Sequence, residues 1–273
     1  MNDTGYFLSF PLHSLHFSLP DGVVMQNSYS MMSRPAILQA LERGEIIIEP
    51  FNEEQLNTVS YDVTLGEHLY RESDKYSAIT RRNIQSFQDG QALMFNPYSE
   101  TGVRSCWISD QAVQAITVFS GYCRYSYVHR GVPDGIKDDD LIILLQPQEL
   151  ILAHTIEFIG TNTPDISLGI QHTTEMHSRS TSVRSFIDVC GSGGFGDLGY
   201  CNRWTMEIRN NSRFHRVPLI VGRRYAQISF FQTAPLPPGE AYGGKYQQSV
   251  DVDRLKAEWH SEMMLPRMYM DRR

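Results

Sequence analysis

Between Ser178 and Asn210 the chain runs SRSTSVRSFIDVCGSGGFGDLGYCNRWTMEIRN. Arg179, Ser180, Thr181 and Arg184 bring two guanidiniums and two hydroxyls onto one short turn. That density suits phosphate oxygens, because arginine offers a planar fork of donors and each hydroxyl adds one more. A solvated loop with surface arginines would read the same way, so the cluster alone leaves both options open. Further on, Asp197 and Glu207 bracket a strand-like run. Its pleat puts Trp204, Met206 and Ile208 on one face and Thr205, Glu207 and Arg209 on the other. Glu207 is then either a carboxylate for acid–base work or an exposed charge paired at little net energy, and composition does not decide.

Several other patterns fail on context. Gly191, Gly193 and Gly196 satisfy G-x-G-x-x-G, but a dinucleotide fold needs a helix to follow, and DLGYCNRWTMEI alternates like a strand. The glycines are better read as a tight loop that lets backbone approach a ligand. Ser192 in CGSGG lacks the helix of a nucleophile elbow for the same reason. The 9 histidines show no metal spacing with a third partner, and neither H-x-E with P-C-x-x-C nor H-E-x-x-H is present. Cys106, Cys123, Cys190 and Cys201 form no C-x-x-C, so zinc is not expected and a reducing cytoplasm is. Asp138, Asp139 and Asp140 read as a solvated turn, since hard cations need convergent oxygens that neighbouring residues on a turn rarely supply.

The elements that must position these residues are mostly strands. Ser33-Arg34-Pro35 followed by AILQALERG predicts a short helix with a Ser cap, Pro in the first turn and Gly44 as its stop. After it EIIIEPF, SYDVTL, QAVQAITVF, DDLIILLQ, ELILAHTIEFIG, DISLGIQHT, RSFIDVC, NRWTMEIRN and RYAQISFF are β-like runs separated by turn signals. Many short strands with little helix imply a sandwich or barrel. APLPPGEAYGGKYQQS is a Pro/Gly loop carrying Tyr242, Lys245 and Tyr246, and DVDRLKAEWHSEMM predicts a terminal helix. The expected organisation is an N-terminal extension over 1–31, one β domain over 32–250 with a more polar insertion at 71–140, and a helical tail over 251–273.

Composition narrows the function classes. The 273 residues can bury one sizeable core. A net charge of -7 argues against sequence-independent nucleic-acid binding, so any anion pocket must be local. No apolar run approaches the roughly 18 residues of a membrane span. The apolar opening YFLSFPLHSLHFSLP has no cationic leader and is interrupted by Pro11, His13 and His16, which makes a poor signal peptide.

In order along the chain, PAILQALERGEIIIEPFNEEQLNTVSYDVTLG, LLQPQELILAHTIEFIG, the block from Arg179 to Asn210 and GGKYQQS resemble the motifs of the dCTP deaminase family, within the trimeric dUTPase-like superfamily. R-S-T-S-V-R is similar to the family's R-S-S-x-x-R, and GGFGDLGYCNRWTMEIRN to its A-G-F-I-D-P-G-F-x-G-x-x-T-L-E-x-x-N. The family's catalytic Glu lies ten residues beyond a sugar-contacting Asp, as Glu207 does beyond Asp197. Plain dUTPases are usually aliphatic there, so the resemblance favours deamination.

The resemblance implies a mainly β, distorted barrel or jelly-roll-like sandwich of the dUTPase-like type with short terminal helices. It implies hydrolysis of dCTP to dUTP and ammonia, supplying deoxyuridine nucleotides for dTTP synthesis, with onward conversion to dUMP and pyrophosphate left open. Glu207 would be the base, with Ser180 and Arg184 orienting the water. Arg179, Thr181, Tyr242, Lys245 and Gln248 would hold the triphosphate, and Asp197 and Tyr200 the deoxyribose. Magnesium would accompany the phosphates, and a homotrimer would build each site from neighbouring subunits, leaving monomers inactive. A dUTPase and a catalytically silent nucleotide-binding regulator stand as the alternatives.

The chain also departs from the family. Gly196 and Leu198 replace Ile and Pro beside Asp197, Asn202 replaces a Gly, Gln148 replaces a Gly, and Ser249 stands where many members have Gln. Gly194-Phe195 resembles the pair found in dUMP-forming members. Between Gly66 and Pro147 the chain is longer than compact members, enough for an extra hairpin, a partner surface or a regulatory element.

Overall fold

The computed structural model describes residues 31–73, 95–120, 131–162, 171–191, 193–237, 239–246 and 251–271. The extension over 1–30, part of the insertion, Cys123, Ser192, Gln248 and Ser249 lie outside them.

Helix α1 (Arg34–Glu42) forms where RPAILQALE predicts it and buries Ile37 and Ala40. Ser33 holds the cap position with extended backbone, but its side chain makes no capping bond. Gly44 ends the turn at φ +68°, a left-handed conformation that glycine adopts without strain. The chain then enters β1 (Ile46–Glu49) and β2 (Tyr61–Glu72), the latter twice the length of the SYDVTL run. The insertion supplies α2 (Glu100–Cys106), β3 (Trp107–Gln111), β4 (Val113–Gln114) and α3 (Ala115–Ser120).

The QAVQAITVF run, expected as one strand, therefore divides. Ala115 with Val118 and Phe119 falls at helical spacing, and all three pack with Ile142 and Ile220. β-Branched Ile116, Thr117 and Val118 disguise that period in the sequence.

The remaining strands are β5 (Leu141–Leu145), β6 (Leu150–Thr161), β7 (Gln171–Ser178), β8 (Ile187–Val189), β9 (Phe195–Gly196), β10 (Cys201–Asn210), β11 (Val217–Ile220) and β12 (Arg224–Thr233). The five-residue helix Ser180–Arg184, α4, joins β7 to β8. Helix α5 (Val252–Glu258) and two 3-10 turns, Ser261–Met264 and Met268–Met270, follow β12.

One sheet runs β8-β10-β6-β2-β12-β7-β9, with β1 also on β6 and β3 also on β2, and a smaller sheet runs β11-β5-β4. The long strands β2 and β6 each divide their length between partners, which bends the sheet. Its path closes on itself near α4. There Ser178 Oγ on β7 donates to Asp188 Oδ1 at 2.9 Å and accepts from the Val189 N–H at 2.7 Å on β8. The result is the mainly β, curled architecture that the strand count implies.

Tyr61, Leu65, Ile151, Met206, Ile228 and Phe230 fill the interior. Beside them the buried Glu157 carboxylate ties β6 to β2. It accepts from Thr64 Oγ1 (2.7 Å), Thr64 N–H (3.0 Å) and Gln55 Nε2 (2.8 Å), so its desolvation is offset by three donors.

Candidate active site

Strand β10 alternates as its sequence predicts. Trp204, Met206 and Ile208 are buried in the core, and Thr205 and Glu207 turn to the opposite face. On that face lies a cavity of about 490 Å³ whose walls include Glu207, Asp197, Tyr200 and Tyr242. Glu207 pairs with Leu152 across β6, and its carbonyl accepts from the Cys190 N–H at 3.0 Å. Its Oε2 is buried with no hydrogen-bond partner among the described residues. Burial raises the Glu207 pKa above the usual carboxylate value, while the Cys190 thiol beside it pulls the other way. Burial pushes the Cys190 thiol up as well, which keeps it protonated and able to donate. A half-buried carboxylate on a cavity wall, with one oxygen unpartnered, suits taking a proton from a ligand or water there.

The loop opposite Glu207 turns on Cys190 (φ +63°) and Gly191 (φ +42°). Of the three glycines expected to let backbone approach a ligand, Gly191, Gly193 and Gly196, it is Gly193 that lines the cavity, while Gly196, like the neighbouring Gly194, is required by packing. A Cβ on Gly194 would lie 2.2 Å from the Met176 carbonyl oxygen, and one on Gly196 would lie 2.3 Å from Thr174 Oγ1 and 2.6 Å from the Trp204 ring. Both are excluded by the protein's own packing. Gly193 alone of the three borders the cavity, where a Cβ would meet Glu207 Oε2 at 4.0 Å.

Asp197 begins a tight turn closed by the Tyr200 N–H to Asp197 carbonyl bond at 3.0 Å, with Gly199 at φ +83°. Such a turn takes Pro readily at its second position and Gly at its third, and Leu198 fills the first of these places here without loss of the bond. Tyr200 stands edge-on to Trp204 (5.3 Å between centroids) and to Tyr242 (5.5 Å), and burial holds its phenol well above the ordinary range. The Tyr242 N–H donates to the Leu198 carbonyl at 2.9 Å, and Asn202 Nδ2 donates to the Tyr246 carbonyl at 2.9 Å. These bonds dock the GGKY loop against the Asp197 turn.

The structure does not gather every predicted residue in one place. Lys245 lies outside the cavity wall, paired with Asp271, and Gln248 lies outside the described residues. Ser180, Thr181 and Arg184 sit on α4 and Arg179 at its N-terminal cap, none of them on the cavity wall, with Ser180, Thr181 and Arg184 exposed. Arg179 is anchored by Asp62, whose Oδ1 lies 3.2 Å from Arg179 Nε, and it also donates to the Arg224 carbonyl at 3.2 Å. Asp62 is 1% exposed; burial raises its pKa and Arg179 opposes that rise. One chain thus presents two separate halves: a carboxylate cavity and an exposed arginine-hydroxyl helix.

Sequence reasoning missed the cavity's far wall. Trp107 from β3 and Trp259, Met263, Met264 and Pro266 from the C-terminal segment line it. Val103 on α2 packs with Met264 and Leu265, and Arg104 pairs with Glu262 at 3.1 Å, so the insertion and the C-terminal segment brace each other. The apolar cluster in EWHSEMMLP was the available signal. Among the described residues no group of three or more His, Cys, Asp or Glu is placed to hold a metal ion, and no helix is long and apolar enough to cross a membrane.

The dCTP deaminase-like family model matches residues 31–100 and 133–233, more than half of the chain. The chain belongs to the dCTP deaminase-like family. A Methanococcus aeolicus protein named dCTP deaminase, dUMP-forming, is 25% identical over 236 residues, spanning 82% of this chain and 97% of its own length. A Methanopyrus kandleri protein of the same name is 26% identical over 222 residues, spanning 80% of this chain and 90% of its own. A solved 2'-deoxycytidine 5'-triphosphate deaminase from Agrobacterium tumefaciens aligns with a TM-score of 0.42 at 13% identity, over 74% of this chain and 48% of that one. Glu207 lies ten residues beyond Asp197 in this chain, and both reach the same cavity wall.

Proposed function

We propose that this member is a hydrolytic dCTP deaminase whose base is Glu207. The observation that carries the reading is the Glu207 carboxylate, half-buried at a cavity wall with one oxygen unpartnered, in register with Asp197 and Tyr200. Glu207 takes a proton from a water held beside it, and the hydroxide forms a bond to C4 of cytosine. The proton passes from Glu207 to the exocyclic amine, the C4–N bond breaks and ammonia leaves. The electron pair left on N3 by the attack re-forms the C4–N3 double bond as ammonia departs, and the remaining hydroxyl proton then moves to N3, giving the C4 carbonyl and N3–H of uracil. Positioned proton transfer of this kind is worth roughly 10² to 10⁴ in rate. Asp197 accepts from the sugar 3'-hydroxyl, and the Tyr200 ring packs by the deoxyribose and leaves no room for a 2'-hydroxyl.

Ser180 and Arg184 orient the water, and Arg179, Thr181, Tyr242, Lys245 and Gln248 take the triphosphate, with the α4 residues reaching the cavity of a neighbouring subunit in a homotrimer. Support for that assembly is the exposure of Ser180, Thr181 and Arg184 beside the exposed apolar Val183 and Phe186. Magnesium accompanies the nucleotide, neutralising phosphate charge. With no three-donor cluster among the described residues, phosphate oxygens are its natural ligands. The names of the relatives favour continuation to dUMP, a second hydrolysis that releases pyrophosphate. A deoxynucleotide substrate and the free Cys106 and Cys190 suit the cytoplasm.

Incubating the protein with dCTP and magnesium and resolving the products tests this directly. Ammonia with dUMP and pyrophosphate is expected, and ammonia with dUTP alone would keep the deaminase but remove the second step. Hydrolysis of dUTP without ammonia from dCTP would support the dUTPase alternative, and tight nucleotide binding without product would support the silent regulator.

A further inference from the structure

Arg203 is a cation on the wall of the same cavity, on the same strand as Glu207. Its Nε is buried without a hydrogen-bond partner, and the guanidinium has no ion pair within 4.0 Å among the described residues. What holds it is aromatic. The guanidinium carbon lies 4.9 Å from the ring centre of Phe158, its cross-strand partner, and 4.6 Å from that of Trp259. Trp259 is itself seated on the buried His154 ring at 4.6 Å. Ring contacts satisfy the faces of a guanidinium and leave its edge donors unused, an arrangement suited to an oxyanion. Burial works against the charge of Arg203, and Glu157 and Glu67 support it only from a distance.

Position says which part of a nucleotide would meet this group. Glu207 lies four positions along the strand from Arg203, about 13 Å, comparable to the reach from a nucleobase to its polyphosphate. The neighbouring Asn202 binds the Tyr246 carbonyl, so Arg203 lies at the GGKY-loop end of the cavity and Glu207 at the other. Arg203 is also the cationic side chain among those lining this cavity, since Lys245 is turned to Asp271.

We infer that Arg203, clamped by Phe158 and Trp259, is a phosphate-binding residue of this cavity, supplied by the same chain as Glu207. It rests on the deaminase reading for the identity of the nucleotide but not for the existence of the oxyanion site. Trp259 belongs to the segment beyond the residues that the family model matches, so this clamp is a feature of the chain's own C-terminal wall.

The test compares the full-length wild type with Arg203→Gln, Arg203→Lys and Trp259→Leu, measuring binding of inorganic tripolyphosphate, dCTP and deoxycytidine, together with kcat and KM. Arg203→Gln is expected to weaken tripolyphosphate and dCTP binding at least tenfold, leave deoxycytidine binding within twofold, and raise KM more than it lowers kcat. Arg203→Lys should recover part of the loss. Trp259→Leu, which keeps the charge and removes the clamp, should fall between, and it carries the test if Arg203→Gln does not fold. Unchanged tripolyphosphate and dCTP binding in folded variants would overturn the inference, as would an equal loss for deoxycytidine. A wild type that binds tripolyphosphate through Arg203 yet releases no ammonia from dCTP would sink the deaminase reading and leave this one standing.

Discussion

A carboxylate whose burial outweighs the donors it gains resists ionising, and Glu207 is in that position at the cavity wall. Its usefulness as a base depends on the ionised form, so activity must fall as pH drops through its pKa. Because that pKa is raised, the acid limb of kcat/KM belongs above the ordinary glutamate value of about 4.3. Cys190→Ala, which removes the thiol that favours the anion, should move the limb further up; a limb at or below the ordinary value would contradict the assignment. Glu207 and Asp197 were legible in sequence because a strand's alternation and a ten-residue spacing are local properties. Arg203, Trp259 and Met263 were not, because the contacts that bring them to the cavity join β10 to a segment some fifty residues away. Asp62 was hidden similarly: its role is to anchor Arg179, and nothing adjacent in the chain announces that.

At the scale of elements, the loop before β10 is shaped by close backbone approach. Gly194→Ala should destabilise the fold by about 1–3 kcal/mol, since its Cβ would collide with the Met176 backbone. Gly193→Ala, with nothing nearer than 3.6 Å, should stay within about 0.5 kcal/mol of the wild type. Urea unfolding of the two variants distinguishes a loop held by packing from one held open only for a ligand. Strand β10 was legible from its alternation, and β6 and β12 as long runs rich in branched and aromatic residues. The misreadings fell where local preference and packing disagree. Helix α3 carries β-branched residues yet closes a helical face against Ile142 and Ile220, and β11 is four residues with Pro218 inside, too short and too interrupted to signal a strand. Helix α4 is five residues long and owes its place to Ser182, whose Oγ donates to the Tyr225 carbonyl at 2.9 Å.

For the whole molecule, two buried histidines couple folding to protons. Burial lowers the pKa of His154 and of His172 from 6.5 to about 4. Unfolded histidine takes a proton at about 6.5 while the folded pair stays neutral, so stability is full above that pH and is lost as pH falls from there toward about 4. Glu207 and Asp62 have raised values and oppose this loss at the acid end. Urea midpoints should therefore decline between pH 6.5 and 4.5, and His172→Gln should roughly halve the slope. The separation of the Glu207 cavity from α4 makes a second whole-molecule prediction. Glu207→Gln and Arg184→Ala should each be inactive, and mixing their subunits should restore roughly a quarter of wild-type activity, because neighbouring copies would then complete some sites. No recovery in mixed oligomers would contradict sites shared between subunits. The most direct measurement of all is ammonia release from dCTP by wild type and Glu207→Gln side by side, with dCTP binding measured on both. Release by the wild type, and a loss of at least about 100-fold in a variant that still binds dCTP, is the predicted result. Undiminished release by Glu207→Gln, or none by a wild type that binds dCTP, would contradict it.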